Sequence, residues 1–302
     1  MGYYSLDINQ KILYNISMHK IKVSETFTSY QSEGRFVGYL SIFLRTFGCN
    51  FRCKDFGLTV PTVGKYNAEV AEVIKNIDQF KVLEDLPLVK TGCDSYPAVY
   101  SEFKHLSPTI SVDKLADQLT DLCPNKKWIQ PNGNDIHLVI TGGEPLLGWQ
   151  DAYPELLDIL QSKGLRNVTF ETNGTKWISN DLSRFIFTRH LNFTFSVSPK
   201  LSASGETKEA AIQPSIVSSY EQYGFTYLKF VVDCPAHFDE VDEAVKEYRH
   251  HDFNGPVYVM PVGGVTNVYE SNEFNVATEA MKRGYHFSPR LQLSLFGNKW
   301  GT

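Results

Sequence analysis

The chain has 302 residues, 42% of them apolar and 21% charged, with a net charge of −5. That length can bury a full core, and the composition is that of an ordinary soluble protein. The acidic balance gives no sign of a broad nucleic-acid-binding face, and no run of about eighteen apolar residues is present to cross a bilayer. The N-terminus lacks an apolar signal core, and Leu6 breaks a myristoylation motif at Gly2. A cytoplasmic protein is therefore expected. In it the Asn-x-Ser/Thr triplets at Asn15, Asn167, Asn173 and Asn192 are chance matches, and the five cysteines point to metal or redox work rather than disulfides.

Along the chain, short β-branched or aromatic runs predict strands at Leu40–Arg45, Ile136–Thr141, Asn167–Thr172, Asn192–Val197, Thr226–Val232 and Val257–Met260, with a last one at Arg290–Leu295. The nearly continuous apolar character of VIT and KFVV suits strands buried on both faces, as in parallel sheets. Helical spacing falls between them. Val112, Leu115, Ala116, Leu119 and Leu122 repeat behind a Ser111 cap, and Leu156, Leu157 and Leu160 run up to Gly164. Asp239–Arg249 and Asn275–Arg283 follow, the latter stopped by Gly284. This rhythm predicts an α/β fold, a partial (open) β/α barrel of about six parallel strands with flanking helices. Residues 54–92 interrupt the rhythm. Val70, Val73, Ile74 and Ile77 have helical spacing, so the stretch is expected to fold as a subdomain inserted in a single domain of residues 1–302.

The unusual residues fall at strand ends. Thr141-Gly142-Gly143-Glu144-Pro145, Glu171-Thr172-Asn173-Gly174-Thr175 and Ser196-Val197-Ser198-Pro199-Lys200 each follow a predicted strand. So does Gly48-Cys49-Asn50-Phe51-Arg52-Cys53. One such segment is a turn like any other, but four at C-terminal strand ends mark the face where parallel β/α folds place active sites. The cysteine segment opens like the C-x3-C-x2-C signature of radical S-adenosylmethionine (SAM) enzymes, yet its third position is Phe56. Cys93 follows after 39 intervening residues.

These segments resemble the 7-carboxy-7-deazaguanine synthase (QueE) family of radical SAM enzymes over nearly the whole length outside the insert. Glu25 to Gly34, with Gly38, is similar to the family's E-x-F-x-S-x-Q-G-E-G-x-x-x-G stretch, Ser32 replacing one glycine. Phe43 to Asn50 matches F-x-R-x-x-G-C-N, and the GGEP, ETNGT, SPK, LKFVVD and MPxG segments come in the family's order. Leu291–Gly301 resembles its Q-x-H-K-x-x-W-G ending, with Ser294 where the His would stand. Cys93-Asp94-Ser95 reproduces the family's third-cysteine triplet, displaced downstream, so the simplest account is an insertion between the second and third ligands. Substitution by Cys123 or Cys234, or loss of the cluster, are the competing accounts.

The resemblance implies a [4Fe–4S] cluster on Cys49, Cys53 and Cys93, leaving one iron open for SAM, and a Mg²⁺ ion on Ser95. It implies SAM contacts from Gly142, Gly143, Glu144, Glu171 and Ser198, and substrate contacts from Gln31, Glu33, Arg45 and Lys200. Five of these have a plainer reading: a solvated strand-end acid for Glu171, a helix cap for Ser198, a surface cation for Arg45, a polar turn for Gln31 and Glu33. The implied reaction contracts 6-carboxy-5,6,7,8-tetrahydropterin to 7-carboxy-7-deazaguanine with loss of ammonia, for queuosine-type deazapurine synthesis. A flavodoxin-like or other electron donor and a homodimer are expected with it, but no nucleic-acid or membrane partner. Two alternatives stand beside this: an activase that installs a glycyl radical on a partner protein, and a cluster-less pterin- or nucleotide-binding relative.

Overall fold

A computed structural model describes residues 19–302; the readings made at Gly2 and Asn15 lie outside them. Among the described residues nine strands form one sheet in the order β3-β1-β2-β4-β5-β6-β7-β8-β9. They are β1 (Lys20–Tyr30), β2 (Leu40–Thr46), β3 (Thr109–Ser111), β4 (His137–Gly142), β5 (Asn167–Thr172), β6 (Asn192–Val197), β7 (Phe225–Val232), β8 (Val257–Pro261) and β9 (His286–Phe287). From β2 through β9 every neighbouring pair is parallel, while β1 runs antiparallel to both β2 and β3. The sheet stays open, as expected, because its end strands β3 and β9 do not pair with each other.

The helices are α1 (Ala68–Lys75), α2 (Tyr96–Val99), α3 (Val112–Asp121), α4 (Tyr153–Ser162), α5 (Asn180–Thr188), α6 (Lys208–Ala211), α7 (Pro214–Tyr220), α8 (Pro235–His250), α9 (Thr266–Arg283) and α10 (Leu291–Phe296). The apolar stripes read from sequence face the sheet. Leu115, Leu119, Leu156, Leu157 and Leu160 are fully buried in one core with Ile42, Leu138, Phe170, Phe195 and Phe230. Gly284 ends α9 in the left-handed conformation, at φ 75°, where a side chain would be strained.

Three expectations need correction. Arg290–Leu295 is not a strand but the start of α10, ended by Gly297 at φ 65°. Alternating leucines over six residues fit a strand, yet so short a window cannot separate a period of 2 from 3.6. The seventh parallel strand is instead the two-residue β9. Ser111 stands at the α3 N-cap position without capping it, since its hydroxyl donates to the Asp113 carboxylate. The long β1 was not expected as a strand at all, although Ile21, Val23 and Phe27 are buried along it.

Residues 54–92 close on themselves. Their neck is a 2.7 Å hydrogen bond from the Gly92 amide to the Phe56 carbonyl. Val70, Val73, Leu86 and Val89 pack with Tyr96, Val99, Tyr100 and Phe103 in a second core. Asn67, nearly inaccessible, caps α1 through the Val70 amide and donates to the Thr91 carbonyl at 2.9 Å. The Glu69 carboxylate accepts from the Lys90 and Thr91 amides at 2.8 and 3.0 Å. Among the described residues no helix is long and apolar enough to cross a membrane.

Candidate active site

The C-terminal strand ends open into one cleft of roughly 1600 Å³, counted out to its solvent mouth. Cys49, Cys53 and Cys93 all line it. They pack around Phe51, Phe56 and Ala211. The Phe56–Gly92 hydrogen bond explains how: Cys93 emerges next to the residue that occupies the motif's third position. Cys123 is buried elsewhere, its thiol directed at the Leu119 carbonyl, and Cys234 stands at the start of α8 beside Asp233 and His237. Neither lines the cleft.

The cysteine loop and the GGEP segment are built as one unit. The Gly143 and Glu144 amides donate to the Thr46 and Gly48 carbonyls at 3.3 and 2.8 Å. A Cβ on Gly143 would lie 2.4 Å from the Gly48 carbonyl oxygen and 2.6 Å from the Cys49 Cβ, so only glycine permits this approach. Cys53 adopts φ 48°, and its amide and that of Arg52 donate to the Glu206 carboxylate at 2.9 and 2.7 Å. Burial pushes the thiols up, Cys49 to about 11 and Cys93 to about 12, and Cys53 well above its usual range. Burial favours the protonated thiol in each, so a bound cation would be needed to hold them as thiolates. The three cysteines and their glycine-permitted cradle thus fit an iron–sulfur cluster.

All of the predicted residues but Glu144 line this mouth. Gly142, Gly143 and Ser198 line it, and the Lys200 ammonium donates to the Ser198 hydroxyl at 3.0 Å. Glu144 does not line it. Its fully buried carboxylate accepts from the Thr172 hydroxyl and from the Leu146 and Asn173 amides, bracing β4 against β5. Glu171 lines the cleft and accepts from the Gln31 side-chain Nε2 at 3.1 Å.

On the far wall, Arg45 and Glu25 are cross-strand partners just past a bulge in β1, joined at 2.6 Å. Arg45 also donates to the Ser95 hydroxyl at 2.9 Å. Ser294 is exposed on α10 and takes no part in the wall.

Sequence reasoning assigned no role to the residues that hold Glu33. Lys229, 4% exposed, contacts its carboxylate at 2.5 Å, and Arg290 and Gln292 donate to the other oxygen at 3.2 Å. Burial alone would push the Glu33 carboxyl up; attraction to Lys229 and Arg290 outweighs it and brings the group down to about 2. One signal was available for Lys229, a lone charge inside the apolar strand FTYLKFVV. Arg290 was hidden by the mistaken strand.

No family model matches the chain. It is similar to the 7-carboxy-7-deazaguanine synthases of Halobacterium salinarum, at 28% identity over 92% of this chain and 91% of the relative, and of Rhodopirellula baltica, at 27% over 95% and 90%. A crystal structure of QueE from Escherichia coli aligns with a TM-score of 0.50 and 18% identity, covering 89% of this chain and 93% of that one. That likeness is one of fold, an open and largely parallel sheet. By sequence the chain is similar to 7-carboxy-7-deazaguanine synthases over nearly its whole length.

Proposed function

We propose that this chain is a ring-contracting radical SAM lyase that converts 6-carboxy-5,6,7,8-tetrahydropterin to 7-carboxy-7-deazaguanine and ammonia. The observation that carries the reading is the delivery of Cys93 into the same cleft as Cys49 and Cys53, through an insert closed at Phe56 and Gly92. Those three thiolates would hold the [4Fe–4S] cluster, and residues 54–92 would be a subdomain inserted in the cluster-binding loop of a single domain. When bound, the cluster and SAM supply one-electron cleavage chemistry and a carbon-centred radical.

The chain's own residues bind and orient. Gly142 and Gly143 line the mouth and would offer main chain to the SAM methionyl group, and Glu171 and Ser198, which also line it, would take its ribose and carboxylate. Glu144 serves this site by fixing the β4 and β5 loops rather than by contact. Gln31 and Glu33 face the pterin's amide and amine edges, with Glu33 held ionised as a fixed acceptor. Arg45 binds the substrate carboxylate, and the Ser95 hydroxyl is a hard oxygen ligand suited to Mg²⁺. Lys200, held by Ser198 beside the cysteines, would bridge the SAM and substrate sides. A flavodoxin-like electron donor, a homodimer and a cytoplasmic location complete the proposal.

Anaerobically reconstituted protein given SAM, Mg²⁺, a reductant and the pterin should release 7-carboxy-7-deazaguanine, detected by mass spectrometry. No product would overturn the reading. Cys93→Ala should lose the brown cluster absorbance while Cys123→Ala and Cys234→Ala keep it. An unchanged spectrum in Cys93→Ala would remove that cysteine as a ligand.

A further inference from the structure

The third cysteine sits at the end of a long excursion, so something other than a tight C-x2-C turn must fix it. Upstream, the Phe56–Gly92 hydrogen bond holds the neck. The segment is also gripped from the side by the carboxy-terminal part of the chain. Arg290, 7% exposed, directs one terminal nitrogen at the Asp94 carboxylate at 2.5 Å, its Nε at the Glu33 carboxylate at 3.2 Å and its other terminal nitrogen at the Gly263 carbonyl. Its own backbone is fixed independently of the insert. The Arg290 amide donates to the Tyr269 hydroxyl at 3.2 Å, and the next amide, of Leu291, donates to the Ser32 carbonyl at 3.1 Å. One guanidinium therefore joins three stretches: the residues after β1, the residue following Cys93, and the loop between β8 and α9.

We propose that Arg290 is a positioning residue: through Asp94 it orients the Cys93 segment, and through Glu33 it couples that segment to the substrate-binding wall. The inference rests on the reading of Cys93 as a cluster ligand and extends it. The planar fork brings three separate nitrogens to the three acceptors, whereas a lysine keeps the charge but offers a single nitrogen on a flexible stem. Partners that orient a metal ligand commonly matter almost as much as the ligand itself.

The test uses the full chain, anaerobically reconstituted, and follows iron release to a ferrous chelator together with the pterin KM. Arg290→Gln and Asp94→Asn should each speed iron release by about tenfold or more, with the double variant no faster than either single one. Arg290→Lys should fall between wild type and Arg290→Gln, and Arg290→Gln should also raise KM through Glu33. Wild-type release rates in Arg290→Gln and Arg290→Lys would overturn the inference, as would additive effects in the double variant. If Arg290→Gln does not fold, Arg290→Lys with Asp94→Asn carries the same test. Cys93→Ala separates the two ideas. Retention of its cluster removes the underlying ligand reading, whereas its loss beside unchanged Arg290 variants removes only the positioning role.

Discussion

Glu33 and Lys229 form a buried ion pair whose partners lie far apart in sequence, one just after β1 and one inside β7. Removing one member of such a pair leaves the other charge stranded in a low dielectric, which costs more than the pair itself contributes. Lys229→Met should therefore lower stability by about 3 kcal/mol, read as a shift of the urea midpoint at constant slope. An unchanged midpoint would mean that Arg290 and Gln292 suffice to hold the carboxylate. At this scale the residue types around the cleft were legible in the chain, because glycines, cysteines and charges at strand ends break the apolar pattern. Their partners were not. Glu144 stood in a motif, and only the packing of β4 against β5 shows its carboxylate consumed by Thr172, Leu146 and Asn173.

Where the C-x3-C-x2-C signature has two residues between its last two cysteines, this chain has 39 between Cys53 and Cys93. For a flexible chain the longer link alone would add about 2.6 kcal/mol of closure entropy, which an ordered segment 54–92 would offset. Asn67 contributes to that order from both ends, capping α1 and holding Thr91. Asn67→Ala should cost about 1–2 kcal/mol, and in native-state hydrogen exchange the Val70 and Gly92 amides should exchange faster while the β4 amides do not. Equal protection of all three would show that the cap is not part of the neck.

The six central strands and five of the helices, α1, α3, α4, α8 and α9, could be read from periodicity, which reports the face each element buries. Among the elements that could not be read so are β1 and α10. In β1 the motif residues drew attention away from the alternation of Ile21 and Val23, and α10 is too short for its leucine spacing to choose a period.

Across the whole molecule, the carboxylates tied to cations set the acid limb of stability. Glu33, brought down to about 2, and Asp94, also lowered despite burial because Arg290 attracts it, bind protons more weakly folded than unfolded. Their contribution is fully present above the unfolded carboxylate value of 4.5 and is lost as pH falls from there toward about 2. Burial raises Glu144, which acts in the opposite sense and returns a little stability as it protonates. Thermal melting should thus drop steeply below pH 4.5 and less steeply in Glu33→Gln; parallel curves would assign the acid sensitivity elsewhere.

The sequence by itself determined the alternating β/α order, the strand ends that carry unusual residues and the split of a cysteine motif, because these depend on local pattern and spacing. Only the tertiary structure decided that Phe56 and Gly92 meet, that Cys93 and neither Cys123 nor Cys234 shares the cleft with Cys49 and Cys53, and that Arg290 reaches both Glu33 and Asp94. Those facts depend on which distant segments come together, and periodicity carries no record of that.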